Sequence, residues 1–438
     1  MLGFLAVILT GSILLSLPIS AKDGQAVSYI DALFTATTAT CVTGLVTLPT
    51  ATAWSVFGQV VILLLIQIGG LGVITVLSGF MVFLQKKMSI SDRLLIQDSF
   101  NLNSLSGLVR FVRKVIAGTL IVEGIGALLY MTVFIPKFGP RGIWISVFNS
   151  VSAFCNAGMD IIGENSLIDY AANPVINAVT CALIILGGIG YIVWWDVIRV
   201  LSSFKSKKMR VFLDLTLHSK LAVCATLGFI LLGTVSFLIF EYSNPETIGD
   251  MSFFDKLQAS FFQSVTTRTA GFATVSQKGL SNASCLVSLF LMFIGGSPVG
   301  TAGGIKTVTI CVIIAAAIAA IKGKNDVCLF NRTLSKEAVG KACAVCCMSF
   351  IILFISSILL SFCTEADAMD IIYETVSATA TVGLSRDLTP SLGLFGKVII
   401  IVTMYLGRIG HISLAVALNS GKKRMNIIKD PVENISVG

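Results

Sequence analysis

The chain has 438 residues, of which 55% are apolar and only 12% charged, with a net charge of +8 and a mean hydropathy of +0.91. A water-facing surface needs about twice that charge fraction, so a soluble globular domain is excluded and a polytopic membrane protein is expected. The positive balance does not indicate a nucleic-acid partner, because the cations are clustered between apolar runs: six in residues 85–114, six in 199–220, five in 322–341 and four in 419–438, stretches that the positive-inside rule assigns to the cytoplasm.

In chain order, the first apolar run covers 2–20. It lacks the basic leader of a secretory signal, so it is read as an opening membrane helix. A shorter, half-apolar run follows at 29–40 and ends in Cys41, Val42, Thr43 and Gly44; a second long run, 55–84, contains Gly69, Gly70 and Gly72. The same unit recurs three times. The runs 115–135, 144–155 and 175–198 enclose Cys155, Asn156, Ala157, Gly158 and then Gly187, Gly188 and Gly190. The runs 221–240, 253–266 and 285–321 enclose Arg268, Thr269, Ala270, Gly271 and then Gly295, Gly296, Ser297 and Pro298. The runs 342–362, 368–379 and 395–418 enclose Ala380, Thr381, Val382, Gly383 and then Gly407, Arg408, Ile409 and Gly410. The first-signature glycines are 114, 113 and 112 residues apart. Two signatures in one order, four times over, mark an internal repeat.

The expected division is repeat one at 1–84, a cytoplasmic connector at 85–114, repeat two at 115–198 and a connector at 199–220. Repeat three follows at 221–321 with a broken second helix, then a connector at 322–341, repeat four at 342–418 and a cytoplasmic tail at 419–438. Both termini are expected in the cytoplasm of a multi-pass plasma-membrane protein. Each long run can cross a bilayer, giving eight spanning helices. The short runs reach only about 18 Å as helices, so they enter and stop halfway; Ser252 with Asp255, and Asp367, supply start signals for two of them. The expected fold is all-α: four tandem helix, pore half-helix, helix repeats around a central pore with pseudo-fourfold symmetry.

Non-helical backbone at membrane depth is tolerated only where it is buried in protein or lines a water-filled cavity. Four such segments predict an aqueous axis. Glycine reaches positive φ without steric cost, which lets successive carbonyls turn toward that axis, and rings of carbonyls replace the hydration shell of a potassium ion. The negative C-terminal ends of the half-helices add to the attraction. Candidate ion-binding residues are therefore Val42, Thr43, Gly44, Asn156, Ala157, Gly158, Thr269, Ala270, Gly271, Thr381, Val382 and Gly383. Gly69, Gly70, Gly72, Gly187, Gly188 and Gly190 fall inside spanning helices and are read as close-packing positions.

Residues 295–304 hold five glycines and a proline, so the second helix of repeat three is expected to break there into an intramembrane loop that crosses the pore and moves aside to open it. The gate candidates are Gly295, Gly296, Ser297, Pro298, Gly300, Thr301, Gly303, Gly304 and Lys306, with Arg408 in the last helix pointing inward because lipid-facing charge is expensive. Glu123 is assigned to packing or pairing. The cysteines sit mainly in apolar runs and imply neither disulfides nor zinc. His218 and His411 stand alone, no nucleophile and base are suitably spaced, and no Gly-x-Gly-x-x-Gly fingerprint occurs. No enzyme is expected.

On these residues the chain resembles the Trk/Ktr/HKT superfamily of potassium transporters, most closely the KtrB-type membrane subunit. The resemblance is carried by residues 264–272 (SVTTRTAGF), 156–158 and 303–307 (GGIKT). It implies that Gly44, Gly158, Gly271 and Gly383 are filter glycines, and that glycine rather than serine at 44 favours potassium over sodium. It further implies a homodimer, a cytoplasmic ring of nucleotide-binding regulatory subunits of KtrA/RCK type touching loops such as 205–210, and stimulation by sodium. The chain itself is expected to bind no cofactor; K+ is the transported ion and Na+ a modulator. Arg386 beside Asp387 departs from the family pattern and is expected to place a cation near the outer mouth. The alternatives are a coupled cation symporter with alternating access, disfavoured because such folds usually carry inverted repeats, and a membrane scaffold, which leaves the half-helices unexplained.

Overall fold

The computed structural model describes residues 2–83, 108–163, 165–202, 214–324 and 326–410. In chain order its helices are α1 (Leu2–Leu15), α2 (Tyr29–Cys41), α3 (Val56–Leu71), α4 (Val73–Phe83), α5 (Leu108–Phe138), α6 (Arg141–Cys155), α7 (Pro174–Gly188), α8 (Tyr191–Ser202) and α9 (Leu217–Glu241). They continue with α10 (Phe253–Thr266), α11 (Asn282–Phe293), α12 (Thr307–Ile321), α13 (Lys336–Ser361), α14 (Ala368–Ala380) and α15 (Leu394–Ile409). A two-residue hairpin pairs Cys328–Leu329 with Arg332–Thr333.

Among the described residues three helices, α5, α9 and α13, are long and apolar enough to cross a membrane unaided. Their outer faces expose Leu120, Leu128, Leu231 and Phe354, side chains that are costly to leave in water and suit an apolar environment. The four short helices α2, α6, α10 and α14 run 13, 15, 14 and 13 residues and are buried over most of their length. The arrangement is inverted relative to a soluble bundle: short, hydroxyl-rich helices lie in the middle and long apolar ones form the rim. Ser252 caps α10 by accepting from the Asp255 N–H at 3.3 Å; Asp367 occupies the N-cap of α14 without a side-chain capping bond.

The expectation of uninterrupted second helices needs correction. The run 55–84 is divided between α3 and α4 at Gly72, at φ +84°. The run 175–198 is divided between α7 and α8, which bend by 99° at Ile189 and Gly190, the latter at φ +95°. In the last run α15 ends at Ile409 before Gly410, at φ +88°, and residues 411–418 lie outside the described ones, as do the connector loop 205–210, His411 and the tail 419–438. Gly72 and Gly190 are thus break residues and not packing positions within a helix. In repeat three the equivalent register holds Pro298, whose ring fixes φ negative. A one-residue kink is closed to it, and the chain instead unwinds through residues 294–306 before α12 resumes.

Each seam between successive repeats carries a polar tie. Trp144 Nε1 donates to Gln59 Oε1 at 2.8 Å, Gln258 Nε2 to the Ala171 carbonyl at 3.1 Å, and the Tyr373 hydroxyl to Gln277 Oε1 at 2.9 Å. The last repeat closes on the first through the ion pair of Lys397 with Asp31, 2.6 Å apart.

Candidate ion pathway

The half-helices end alike. Val42, Asn156 and Thr381 cap α2, α6 and α14 in the left-handed region; in repeat three Thr269, at φ +67°, takes that place. Two residues on, Gly44, Gly158, Gly271 and Gly383 have φ of +98°, +63°, +85° and +97°. Left-handed backbone costs a non-glycine residue about 1–2 kcal/mol, so the same strained pair of positions held in all four repeats reports a constraint stronger than local preference.

That constraint is a ring. A Cβ added to Gly44 would lie 2.6 Å from the Ala157 carbonyl oxygen, one on Gly158 2.6 Å from that of Ala270, and one on Gly271 2.6 Å from that of Val382. A Cβ on Gly383 would collide with the Thr43 carbonyl, which closes the circle. The structure therefore brings the twelve predicted filter residues together as four contiguous turns, each glycine against the neighbouring repeat's preceding carbonyl. The hydroxyls of Thr43, Thr269 and Thr381 are buried there without a partner among the described residues.

The turns are braced from behind by residues that the motif search missed. The Gly44 N–H donates to Thr38 Oγ1 at 2.9 Å, the Met159 N–H to Ser152 Oγ at 3.1 Å, and the Gly383 N–H to Ser377 Oγ at 3.0 Å. In each case the hydroxyl lies six residues before the glycine, a recurrence that could have been read. Repeat three has Val265 at that register, and Thr266 Oγ1 instead donates to the Phe272 carbonyl at 2.6 Å. In repeat four Glu374 is buried against Ser385 at 2.7 Å and Thr389, pinning the segment that leaves the ring.

Beyond the ring a cavity of about 450 Å³ has the four glycines at its base and Asp160 and Asp387 in its wall. Burial pushes the Asp160 carboxyl up to about 6, against the opposing pull of the Ile162 and Gly163 N–H groups and the Ser166 hydroxyl. Arg386 does not add a cation to this wall. Its guanidinium is turned onto Asp370, 2.6 Å from Nε, and toward Cys285 Sγ, 2.7 Å from Nη1, and Arg386 is not among the residues that line the cavity.

On the opposite side the loop 294–306 packs under the ring. A Cβ on Gly303 would lie 2.6 Å from the Ala380 carbonyl, and Thr301 Oγ1 donates to the Phe154 carbonyl at 3.1 Å. Ser297 and Thr307 share a hydroxyl bond of 2.9 Å across the loop's neck. Arg408 reaches in from α15: Nη1 donates to the Thr301 carbonyl at 2.6 Å and Nη2 to the Gly69 carbonyl. Lys306 folds back on its own loop, Nζ donating to the Ala302 carbonyl at 2.5 Å. Gly295, which receives Arg268 Nη2 on its carbonyl at 3.3 Å, Gly296, Pro298, Gly300 and Gly304 complete the loop. Glu123 accepts from Gln67 Nε2 at 3.3 Å behind these elements.

A family model described as a cation transport protein, TrkH, matches residues 4–424. The chain belongs to the TrkH family of cation transport proteins. As a TrkH-family member it is 39% identical, over its full length and 96% of the relative's, to the potassium/sodium uptake protein NtpJ of Enterococcus hirae. It is 38% identical, over its full length and 95% of the relative's, to the Ktr system potassium uptake protein B of Bacillus subtilis. Its fold matches the crystal structure of the potassium transporter TrkH from Vibrio parahaemolyticus with a TM-score of 0.72 at 17% identity, covering 95% of this chain and 84% of that one. TrkH-family chains are membrane transport proteins, and this one is no enzyme.

Proposed function

We propose that the chain is the ion-translocating subunit of a potassium uptake system, a channel-like pathway in which four quasi-equivalent repeats surround one axis. The observation that carries the reading is the closed ring of Gly44, Gly158, Gly271 and Gly383, each against the next repeat's carbonyl. Carbonyls so gathered at the negative ends of four half-helices suit a dehydrated monovalent cation. The unpartnered threonine hydroxyls and the acidic cavity above the ring support it. Beneath the ring, the loop held by Arg408 acts as the gate. Ions move inward on the membrane potential, about 2.3 kcal/mol per charge per 100 mV, without coupled fuel.

In this reading the clustered cations mark the cytoplasmic side, and the subunit works as a homodimer on a cytoplasmic nucleotide-binding ring, in line with the naming of its Bacillus subtilis relative as one protein of a Ktr system. Sodium modulates and is not bound as a cofactor. The test is rubidium and sodium uptake into proteoliposomes. Wild-type protein takes up rubidium in preference to sodium, and Gly271→Ser, whose Cβ meets the Val382 carbonyl, loses the preference while still folded. An unchanged ratio in a well-folded Gly271→Ser protein overturns the assignment of the ring.

A further inference from the structure

We infer that the break between α7 and α8 is the seat of the gating loop, and that Gly190 is a positioning residue whose conformation decides whether the loop can sit. In an unbroken helix the Tyr191 N–H would bond the Gly187 carbonyl, four residues back. Here each has been given to the loop. The Tyr191 N–H donates to the Val299 carbonyl at 3.0 Å, and the Gly187 carbonyl accepts from the Thr301 N–H at 3.1 Å. The Gly188 carbonyl, whose helical partner would be the N–H of Ile192, accepts from the Ser297 N–H at 2.8 Å. Three loop residues thus take up three of the groups that the break frees, while the Leu186 carbonyl accepts from Trp194 Nε1 at 2.9 Å.

The fit depends on glycine. Gly190 lies at φ +95°, and a Cβ there would collide with the Pro298 carbonyl. A Cβ on Gly300 would stand 2.9 Å from the Gly187 carbonyl and 3.1 Å from that of Gly188. Thr301 is the node of a longer path. Its N–H holds the Gly187 carbonyl, its carbonyl accepts from Arg408 Nη1, and Arg408 Nη2 reaches the Gly69 carbonyl, the position of repeat one equivalent to Gly187.

Backbone groups in a membrane interior are not left unpaired. When the loop withdraws, the Gly187 carbonyl and the Tyr191 N–H pair again with each other, and the 99° bend relaxes toward a continuous helix. The coupling is reciprocal: straightening the helix expels the loop, and seating the loop bends the helix. The moving arm is α8. Its Asp196 Oδ2 holds the N-terminus of α9 through the Thr216 N–H at 2.9 Å and the Thr216 hydroxyl at 2.8 Å, so motion at this end is transmitted to the gate.

The inference rests on reading residues 294–306 as the gate, and the test separates the two. Ketone-bearing amino acids at Leu186 and Ile198, both exposed on the described surface, take ketone-reactive spin labels and leave the eleven native cysteines untouched. Pulsed EPR then reads the α7–α8 distance alongside rubidium uptake in wild type, in Gly190→Ala and in a deletion of residues 299–303. The expected result is a longer distance in both variants, with uptake raised several-fold and the rubidium-to-sodium ratio unchanged. A wild-type distance in the deletion overturns the seat even if uptake rises. A longer distance with unchanged uptake keeps the seat and removes the gate reading. Lower uptake in a well-folded Gly190→Ala protein with a wild-type distance overturns the role of Gly190.

Discussion

Asp160 sits in the wall of the cavity above the glycine ring with its carboxyl raised to about 6 by burial. A carboxyl whose folded pKa exceeds its unfolded value of about 3.9 holds its proton more tightly in the folded chain. Its contribution to stability is therefore fully present below about pH 4 and is lost as pH rises through about 6. Transport moves the other way. Ionisation adds a negative charge beside the proposed ion path, in a wall that Asp387 also lines, while Arg386 is engaged elsewhere. Rubidium uptake at sub-saturating concentration should rise on the order of threefold between pH 5 and pH 7, the scale of one unit charge a few ångströms from the path in watery surroundings. Asp160→Asn should flatten this step and hold uptake at the lower level; initial rates at several external pH values under a fixed membrane potential provide the check. Persistence of the full pH step in the Asn variant would assign it to another group.

At the scale of elements, the ion pair of Lys397 on α15 with Asp31 in the first turn of α2 closes repeat four onto repeat one, its side chains only 15% and 14% exposed. Asp31 also lies where the α2 dipole favours an acid. Removing one partner strands a nearly buried charge, so Asp31→Asn or Lys397→Met should each destabilise the fold by about 2–4 kcal/mol, and the pair Asp31→Leu with Lys397→Met should recover most of it. Denaturation in a fixed detergent, followed by the loss of a folded elution peak, compares the three. This seam could not be read from the sequence, because residues 366 positions apart carry no mutual signal in a single chain. The half-helices could be read, since a short apolar run that stops at a recurring glycine motif has no other economical reading. The helix breaks at Gly72 and Gly190 were hidden for the opposite reason: hydropathy continues through them, and only backbone angles distinguish a glycine packed inside a helix from one that ends it. The loop of repeat three was legible because Pro298 adds a second signal, and the hydroxyl braces Thr38, Ser152 and Ser377 were present at constant spacing but resemble the many other serines and threonines of these helices.

Across the whole molecule, Arg408 joins what the repeats bring separately. Its guanidinium spans the Thr301 carbonyl of the loop and the Gly69 carbonyl of repeat one, and Thr301 in turn engages repeat two through Gly187 and Phe154. One side chain of repeat four thus ties the loop of repeat three to the frame provided by the other two. A planar fork with several donors can serve two carbonyls at once, whereas an ammonium is a compact point charge. Arg408→Lys should therefore retain the positive charge and lose the bridge, while Arg408→Gln loses both. If the charge alone opposes cations below the ring, Lys should behave as wild type and only Gln should raise uptake. If the bridge holds the loop, both should raise rubidium uptake several-fold with the rubidium-to-sodium ratio unchanged, since the glycine ring is untouched. The geometry favours the second outcome, because two directed bonds restrain the loop's position and a bare charge does not. Uptake by the two variants into proteoliposomes of matched protein content decides between them, and a Lys variant indistinguishable from wild type would reduce Arg408 to an electrostatic barrier.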